Sequence, residues 1–141
     1  MADMTRITGV SALMNRLDKL DRAYGDGEAL QDNIDRAARI TQANIRTEAP
    51  YLTGALRRGI LAMELPKLKN KPMAVVKANY SPSKGPIARH AHLVNNGHIT
   101  RGGSHVPANP FFDRGVNRSV GVVRKMITGR LSELVNKAAS K

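Results

Sequence analysis

The four histidines of the chain are the residues whose types and spacing best suit chemistry. All of them lie between residues 90 and 105. His90 and His92 are two apart, so on a strand their side chains point to the same face. With His98 or His105 from the glycine-rich stretch that follows, they form a set of imidazoles that suits zinc or copper. A metal site is therefore the first chemical hypothesis.

The charges around the histidines argue against that hypothesis. Metal-binding histidines are usually oriented by carboxylates, yet no acidic residue occurs between Glu64 and Asp113. The local charge is positive and repels a cation. The chain also has no cysteine, so it has neither a thiolate zinc site nor a disulfide. We expect the histidines to be polar surface residues, with no metal and no other cofactor.

The sequence carries no signature of an enzyme. It has no G-x-S-x-G, no phosphate-binding P-loop and no H-E-x-x-H. The 11 acidic residues lie mostly on the predicted N-terminal helices. Lysines and arginines alternate with them there, a mixed-charge pattern that is typical of a solvent-exposed helix face. We therefore expect a protein without catalytic activity.

The net charge of +12 predicts an anionic partner. Residues 1–56 are close to neutral, and the whole excess follows Leu56. Nucleic acid and an acidic protein surface both fit, and charge alone leaves both open. No base-stacking platform and no recognition helix is evident. The candidate contact residues are Arg57, Arg58, Lys67, Lys69, Lys71, Arg89, His98, Arg101 and His105.

The chain shows no signal for secretion or for a membrane. Its start, "MADMTRITGV", lacks a basic region followed by an apolar run, and no apolar run approaches the ~20 residues of a membrane span. We expect a soluble protein of a reducing cytoplasm.

The hydrophobic periodicity predicts one α+β domain over residues 1–141. A small antiparallel sheet with a long β-hairpin is packed by N-terminal helices and by a long C-terminal helix. The predicted elements are a helix over 7–24, a second helix over 27–48, a hairpin and third strand over 60–95, a loop over 96–109 and a helix over 110–139. Thr53 is the expected cap of a short helix that presents Arg57 and Arg58.

The last helix has the strongest pattern. Asn109 is the predicted N-cap and Pro110 the first helical residue. The third strand is predicted at 88–94, with Ala91 and Leu93 inward. The sheet is small, so its open edges favour self-association. The expected inner stripe of the last helix is Phe112, Val116, Val120, Val123, Ile127, Leu131, Leu134 and Ala138.

Three stretches together resemble one known family. They are "EAPYLTGALRRGI" (48–60), "HAHLVNNGH" (90–98) and "VPANPFFDRGV" (106–116). Their order and spacing are similar to those of the HK-ninety-seven gene-product-ten-like family of tailed-bacteriophage head–tail joining proteins, which includes neck, tail-completion and tail-terminator components. The family often has Glu-Phe-Gly where this chain has Asn95-Asn96-Gly97. The matching positions are Pro50, Thr53, Gly54, Leu56, Val94, Gly97, Pro107, Pro110, Phe111 and Phe112.

The resemblance implies a structural virion protein rather than an enzyme. Members of the family form rings, commonly hexameric, between the head connector and the tail tube. Double-stranded DNA passes through such a ring, and the ring contacts the DNA without sequence specificity. The implied partners are other copies of the chain, the head connector or stopper, and the tail-tube proteins. The implied location is the virion neck, after assembly in the host cytoplasm. A basic, non-catalytic nucleic-acid-binding module is the alternative that charge alone supports.

Overall fold

A computed structural model describes residues 15, 28–52, 54–65 and 72–140. Three sequence predictions fall outside these residues: the helix over 7–24, the cap at Thr53, and the hairpin tip with Lys67, Lys69 and Lys71.

The described chain has the predicted α+β composition. Helix α1 (Glu28–Glu48) and helix α2 (Ala55–Arg58) precede a hairpin of β1 (Ile60–Glu64) and β2 (Ala74–Ala78). A 3₁₀ turn (Pro82–Lys84) leads to helix α3 (Ala91–Asn96). A small hairpin of β3 (His98–Ile99) and β4 (His105–Val106) follows, and helix α4 (Phe111–Ala139) ends the fold. Both hairpins are antiparallel two-stranded sheets.

Helix α1 confirms the second predicted helix. Its inner face is formed by Leu30, Ala37 and Ile45, which are buried. Arg46 turns toward β1. Its Nε and Nη2 donate to the Ile60 carbonyl oxygen at 3.1 and 2.8 Å, and Gln42 Nε2 donates to the same oxygen at 2.8 Å. These bonds fix the start of the first hairpin on α1.

Helix α4 confirms the long C-terminal helix, but two positions of its predicted stripe, Val116 and Val120, are wrong. Val116 and Val120 are 37% and 44% exposed, whereas Gly115 and Ser119 are buried. The reason is the close approach of α1, which leaves no room for a side chain at Gly115. At Ser119 the hydroxyl oxygen accepts a hydrogen bond from Asn44 Nδ2 of α1 at 3.0 Å. Further along, the predicted Val123, Ile127, Leu131 and Leu134 are half-buried.

The start of α4 also differs from its prediction. Asn109 does not cap the helix: its Oδ1 accepts a bond from Arg114 Nη2, and Pro110 stands before the first helical residue rather than at it. The cap comes from α3, where Asn95 Oδ1 accepts the Phe112 backbone N–H at 3.1 Å. An asparagine of another helix thus supplies the acceptor that a local N-cap would normally give.

The predicted third strand at 88–94 is wrong, because most of this segment belongs to helix α3. The buried residues there are Ala88 and Ala91, and Val94 packs beside them. They are three apart, so a helical period fits where an alternating one was assumed. Only Ala88 keeps a strand-like contact, donating its N–H to the Asn79 carbonyl oxygen at 2.7 Å. His90 and His92 therefore do not share the face of a strand.

The predicted loop over 96–109 contains the second hairpin. Its tip is closed by bonds from the Thr100 N–H to the Ser104 carbonyl and from the Gly103 N–H to the Thr100 carbonyl, at 2.8 and 2.9 Å. Gly97 joins it to α3 with φ of 72°, and a Cβ there would stand 2.8 Å from the Val106 carbonyl oxygen. We call residues 98–106 the arm.

The core lies where α1, β1, α3 and the start of α4 meet. Phe111 and not Phe112 is its central aromatic: Phe111 is fully buried, and Phe112 packs from the side with the two rings edge to face. The buried members of this cluster are Ile45, Ala49, Ile60, Ala88, Ala91 and Phe111.

Candidate interaction surface

Three arginines meet at the C-terminal end of α1. Arg46, Arg57 and Arg58 line, together with Thr47, an open hollow of about 310 Å³. Two of the three arginines were predicted as partner contacts, and the fold adds Arg46 to them. We call these three residues the arginine cluster.

Arg57 is held in place by the end of α1. Its Nε donates to the Ala49 carbonyl oxygen at 2.8 Å, and its guanidinium carbon lies 5.3 Å from the centroid of the Tyr51 ring. The last carbonyls of a helix lack intrahelical partners. Arg57 Nη2 donates to one of them, the Thr47 carbonyl oxygen, at 3.5 Å, and its charge complements the negative end of the helix dipole. Arg58 is exposed.

Glu48 pairs with α4 instead of the arginine cluster. Its carboxylate accepts hydrogen bonds from Arg114 Nε at 3.0 Å and from Arg118 Nη1. The bond from Arg114 and the charge of Arg118 hold the pKa of the Glu48 carboxyl below its ordinary value, against the opposite effect of desolvation. Glu48, the carboxylate nearest to the arginine cluster in the sequence, is thus already paired with Arg114 and Arg118 of α4.

The arm carries three more of the predicted contact residues. Ile99 and His105 are cross-strand partners, so they share one face, and both are exposed; Ile99 is 71% exposed. Arg101 is exposed at the tip. His98 lies on the other face, half-buried, with Nδ1 3.3 Å from the Leu93 carbonyl oxygen. The arm therefore presents an apolar side chain flanked by basic ones.

The remaining predicted residues are spread over other elements. Arg89 is exposed just before α3. Among the described residues, no hydrogen bond or ion pair joins Arg89, Arg101 or His105 to the arginine cluster, and none of the three lines its hollow. The histidines do not converge either: within the described ranges, no group of three histidine, aspartate or glutamate side chains is placed to hold a metal ion.

The residues that carry the family resemblance serve the fold. Gly54 precedes α2 with φ of 73°, a left-handed conformation that favours glycine. Leu56 and Val94 pack against the core around Phe111. Pro50, Pro107 and Pro110 are exposed where segments change direction. These positions hold the elements that present the arginine cluster and the arm.

An open groove lies between β2, α3 and the start of α4. Its volume is about 540 Å³, and Val76, Ala78 and Phe112 supply apolar parts of its wall. Tyr80 is 51% exposed there, with its ring 6.2 Å from that of His92.

Sequence reasoning missed several residues that build this surface. Arg46 sits in a mixed-charge helix where nothing distinguishes it from Arg36 or Arg39. Asn79 was not singled out, yet its buried amide donates to the carbonyl oxygens of Ser81, Gly85 and Pro86 at 3.0, 3.1 and 2.9 Å and so shapes the turn. The spacing of Gly115 and Ser119, four apart after Phe111, was the one available signal for the contact of α1 with α4.

Comparison of the chain with protein-family models, with curated proteins and with solved structures finds no match in any of the three. Within the described residues, none of the helices has the length and apolar character needed to cross a membrane.

Proposed function

We propose that this chain is a non-enzymatic structural protein of a long-tailed bacteriophage that forms a ring in the neck of the virion. The ring joins the DNA-filled head to the tail and surrounds the DNA channel. Its role is geometric: one surface contacts the head connector or stopper, another contacts the tail-tube proteins, and the subunits keep the channel open.

The observation that carries the proposal is the meeting of the three family-like stretches in one core. Leu56 comes from the first stretch, Val94 from the second and Phe111 from the third. Phe111 is fully buried, and the other two pack against its cluster. Residues far apart in sequence thus depend on one another for packing, which is the relation expected of motifs that define one fold.

The composition of the surface supports self-association. Both sheets have only two strands in the part of the chain described, so each presents outer edges without a strand partner, and such edges are commonly paired or covered. Large apolar side chains are also exposed, among them Leu52 at 92% and Ile99 at 71%. Head-to-tail contacts between identical subunits close into a ring when the rotation between them closes. A hexamer is the ring size that the resemblance favours.

The test is the mass of the purified protein in moderate salt, by light scattering after size exclusion, with and without duplex DNA. A discrete closed oligomer whose number of protein subunits is the same with and without DNA supports the neck ring and gives that number. A monomer that changes mass only with DNA contradicts it. If the protein is a monomer whose mass does not change with DNA, the mass is measured again after mixing with the connector protein of the phage. The proposal then requires that the connector template the ring.

A basic, non-catalytic nucleic-acid-binding module is the second candidate. Exposed lysines and arginines on several elements favour this function, among them Lys77, Lys84, Arg89 and Arg101. Salt separates the two functions, because phosphate binding weakens steeply with salt whereas a ring held by apolar contacts does not.

A further inference from the structure

The arginine cluster gathers positive charge without a described counter-charge. Three of the four residues that line its hollow are arginines, and the fourth is Thr47. Between residues 38 and 60 the chain has one carboxylate, Glu48, which accepts from Arg114 and Arg118. Like charges that share a small volume repel one another, so a bound anion would stabilise this arrangement.

Two of the three guanidinium groups are held in position before any ligand arrives. Arg46 is fixed through Nε and Nη2 on the Ile60 carbonyl oxygen. Arg57 is fixed through Nε on the Ala49 carbonyl oxygen and by the ring of Tyr51. A guanidinium has five N–H donors, so these bonds occupy only part of each group. Binding at such a site orders little that is not already ordered, apart from exposed Arg58.

We propose that the arginine cluster binds phosphate groups of a duplex nucleic-acid backbone. Guanidinium groups match phosphate oxygens through paired N–H···O bonds. The hollow is lined by three arginines and one threonine, and arginine is the side chain best suited to phosphate and nucleic-acid recognition. The source of the phosphate, DNA inside a neck ring, rests on the proposed function; the phosphate chemistry of the site does not.

Arg58→Gln is the variant that tests the site. Arg58 is exposed and its guanidinium caps no described carbonyl, so the substitution removes one charge without removing the bonds that Arg46 and Arg57 make to the backbone. Arg124→Gln removes the same charge from an exposed position on α4 and is the matched control. Leu52→Ser alters the exposed apolar side chain that a protein partner would use.

The measurement is the affinity for a duplex of about 20 base pairs, by fluorescence anisotropy, between about 50 and 200 mM salt. We expect Arg58→Gln to weaken binding roughly five- to tenfold at the lowest salt and to reduce the slope of log K against log salt by about 1. Arg124→Gln should change the affinity less than about twofold, and Leu52→Ser should leave it unchanged. Titration with inorganic phosphate should shift the Nε–Hε resonances of Arg46 and Arg57 in the wild type.

Four results overturn the site. The first is an equal loss of duplex affinity in Arg58→Gln and Arg124→Gln, which would mean that binding depends on diffuse charge, and the second is an equal loss in Leu52→Ser. The third is a wild-type protein that binds poly-glutamate but not duplex DNA. The fourth is that inorganic phosphate leaves the Nε–Hε resonances of Arg46 and Arg57 unshifted. Complementation of a phage lacking the gene separates this failure from that of the neck function. A chain that joins heads to tails without binding duplex overturns only the phosphate site, and Arg58-dependent DNA binding in a chain that joins nothing overturns only the neck function.

Discussion

Gly115 of α4 lies directly against Ile45 of α1. A Cβ built on Gly115 would stand 2.6 Å from Ile45 Cγ1 and 2.7 Å from the Ile45 backbone nitrogen, and Ile45 is itself fully buried. The two long helices therefore approach each other closely at this glycine. This contact sets the distance at which the Glu48 carboxylate meets Arg114 and Arg118.

We expect Gly115→Ala to destabilise the protein. The new methyl group meets backbone as well as side chain, so α1 must move, and overpacking of this kind costs about 1–3 kcal/mol despite the better helix propensity of alanine. Gly121→Ala is the control, because nothing lies within 4 Å of a Cβ there. It should stabilise α4 by up to ~1 kcal/mol. Urea unfolding of both variants checks the prediction; equal effects of the two substitutions would contradict it.

The Glu48 ion pairs should make stability depend on pH in the acid range. The folded-state pKa is lowered from 4.5, so the unfolded chain binds the proton more readily. The stabilisation is then fully present above about pH 4.5 and is lost as the pH falls through the lower pKa of the folded state. Denaturant unfolding from pH 6 to pH 3 should show this loss in the wild type and a smaller one in Glu48→Gln.

Glu133→Gln is the control for that series. Glu133 pairs with Arg130 but its side chain is 69% exposed, and exposed pairs contribute little. Its profile should follow that of the wild type. Superimposable profiles of Glu48→Gln and the wild type would mean that the pairs with α4 do not stabilise the fold.

Asn79 should be needed for the turn that follows β2. Its side chain is 2% exposed and donates to three carbonyl oxygens, and its Oδ1 accepts the Ser81 N–H. Asn79→Ala leaves these groups without their partner, at a cost of about 1–3 kcal/mol. Ser83→Ala removes only an exposed hydroxyl pair with Ser81 and should cost less than about 0.5 kcal/mol. Thermal unfolding of the two variants measures the difference, and an Asn79→Ala protein as stable as Ser83→Ala would refute the role.

The lysines of the predicted hairpin tip, Lys67, Lys69 and Lys71, should matter for assembly and not for folding on the proposed neck function. Replacing Lys67, Lys69 and Lys71 together by glutamate reverses the charge of this tip, so we expect heads and tails to remain separate while the circular dichroism of the protein is unchanged. The check is electron microscopy and infectivity of particles made with the variant. Normal infectious particles would end the idea that this tip contacts a neighbouring ring or the DNA path.

Elements with long, uniform periodicity could be predicted from the sequence. Helices α1 and α4 lie within a few residues of their predicted bounds, and β1 and β2 lie within the range predicted for the hairpin and third strand, since each carries its own repeating pattern of apolar residues. Segment 88–94 is too short for its pattern of apolar residues to distinguish the period of a strand from that of a helix. Its buried residues Ala88 and Ala91 suit either structure. The buried positions Gly115 and Ser119 carry little hydrophobicity, so a search for apolar residues shifts the stripe toward Val116 and Val120.

The site was less predictable than the fold. Arg57 and Arg58 are adjacent in sequence, so their joint placement follows from a single short helix. Arg46 joins them only because α1 packs on the start of β1, a tertiary relation with no local signal. The same holds for Asn95, whose role depends on a helix 17 residues further along.

That cap has a consequence for the order in which the chain folds during synthesis. Phe112 takes its acceptor from Asn95, which leaves the ribosome first, so the support for α4 is already present when the helix begins to form. An isolated peptide of residues 110–139 begins without the acceptor that the intact chain supplies and should be less helical than the same segment within the whole protein.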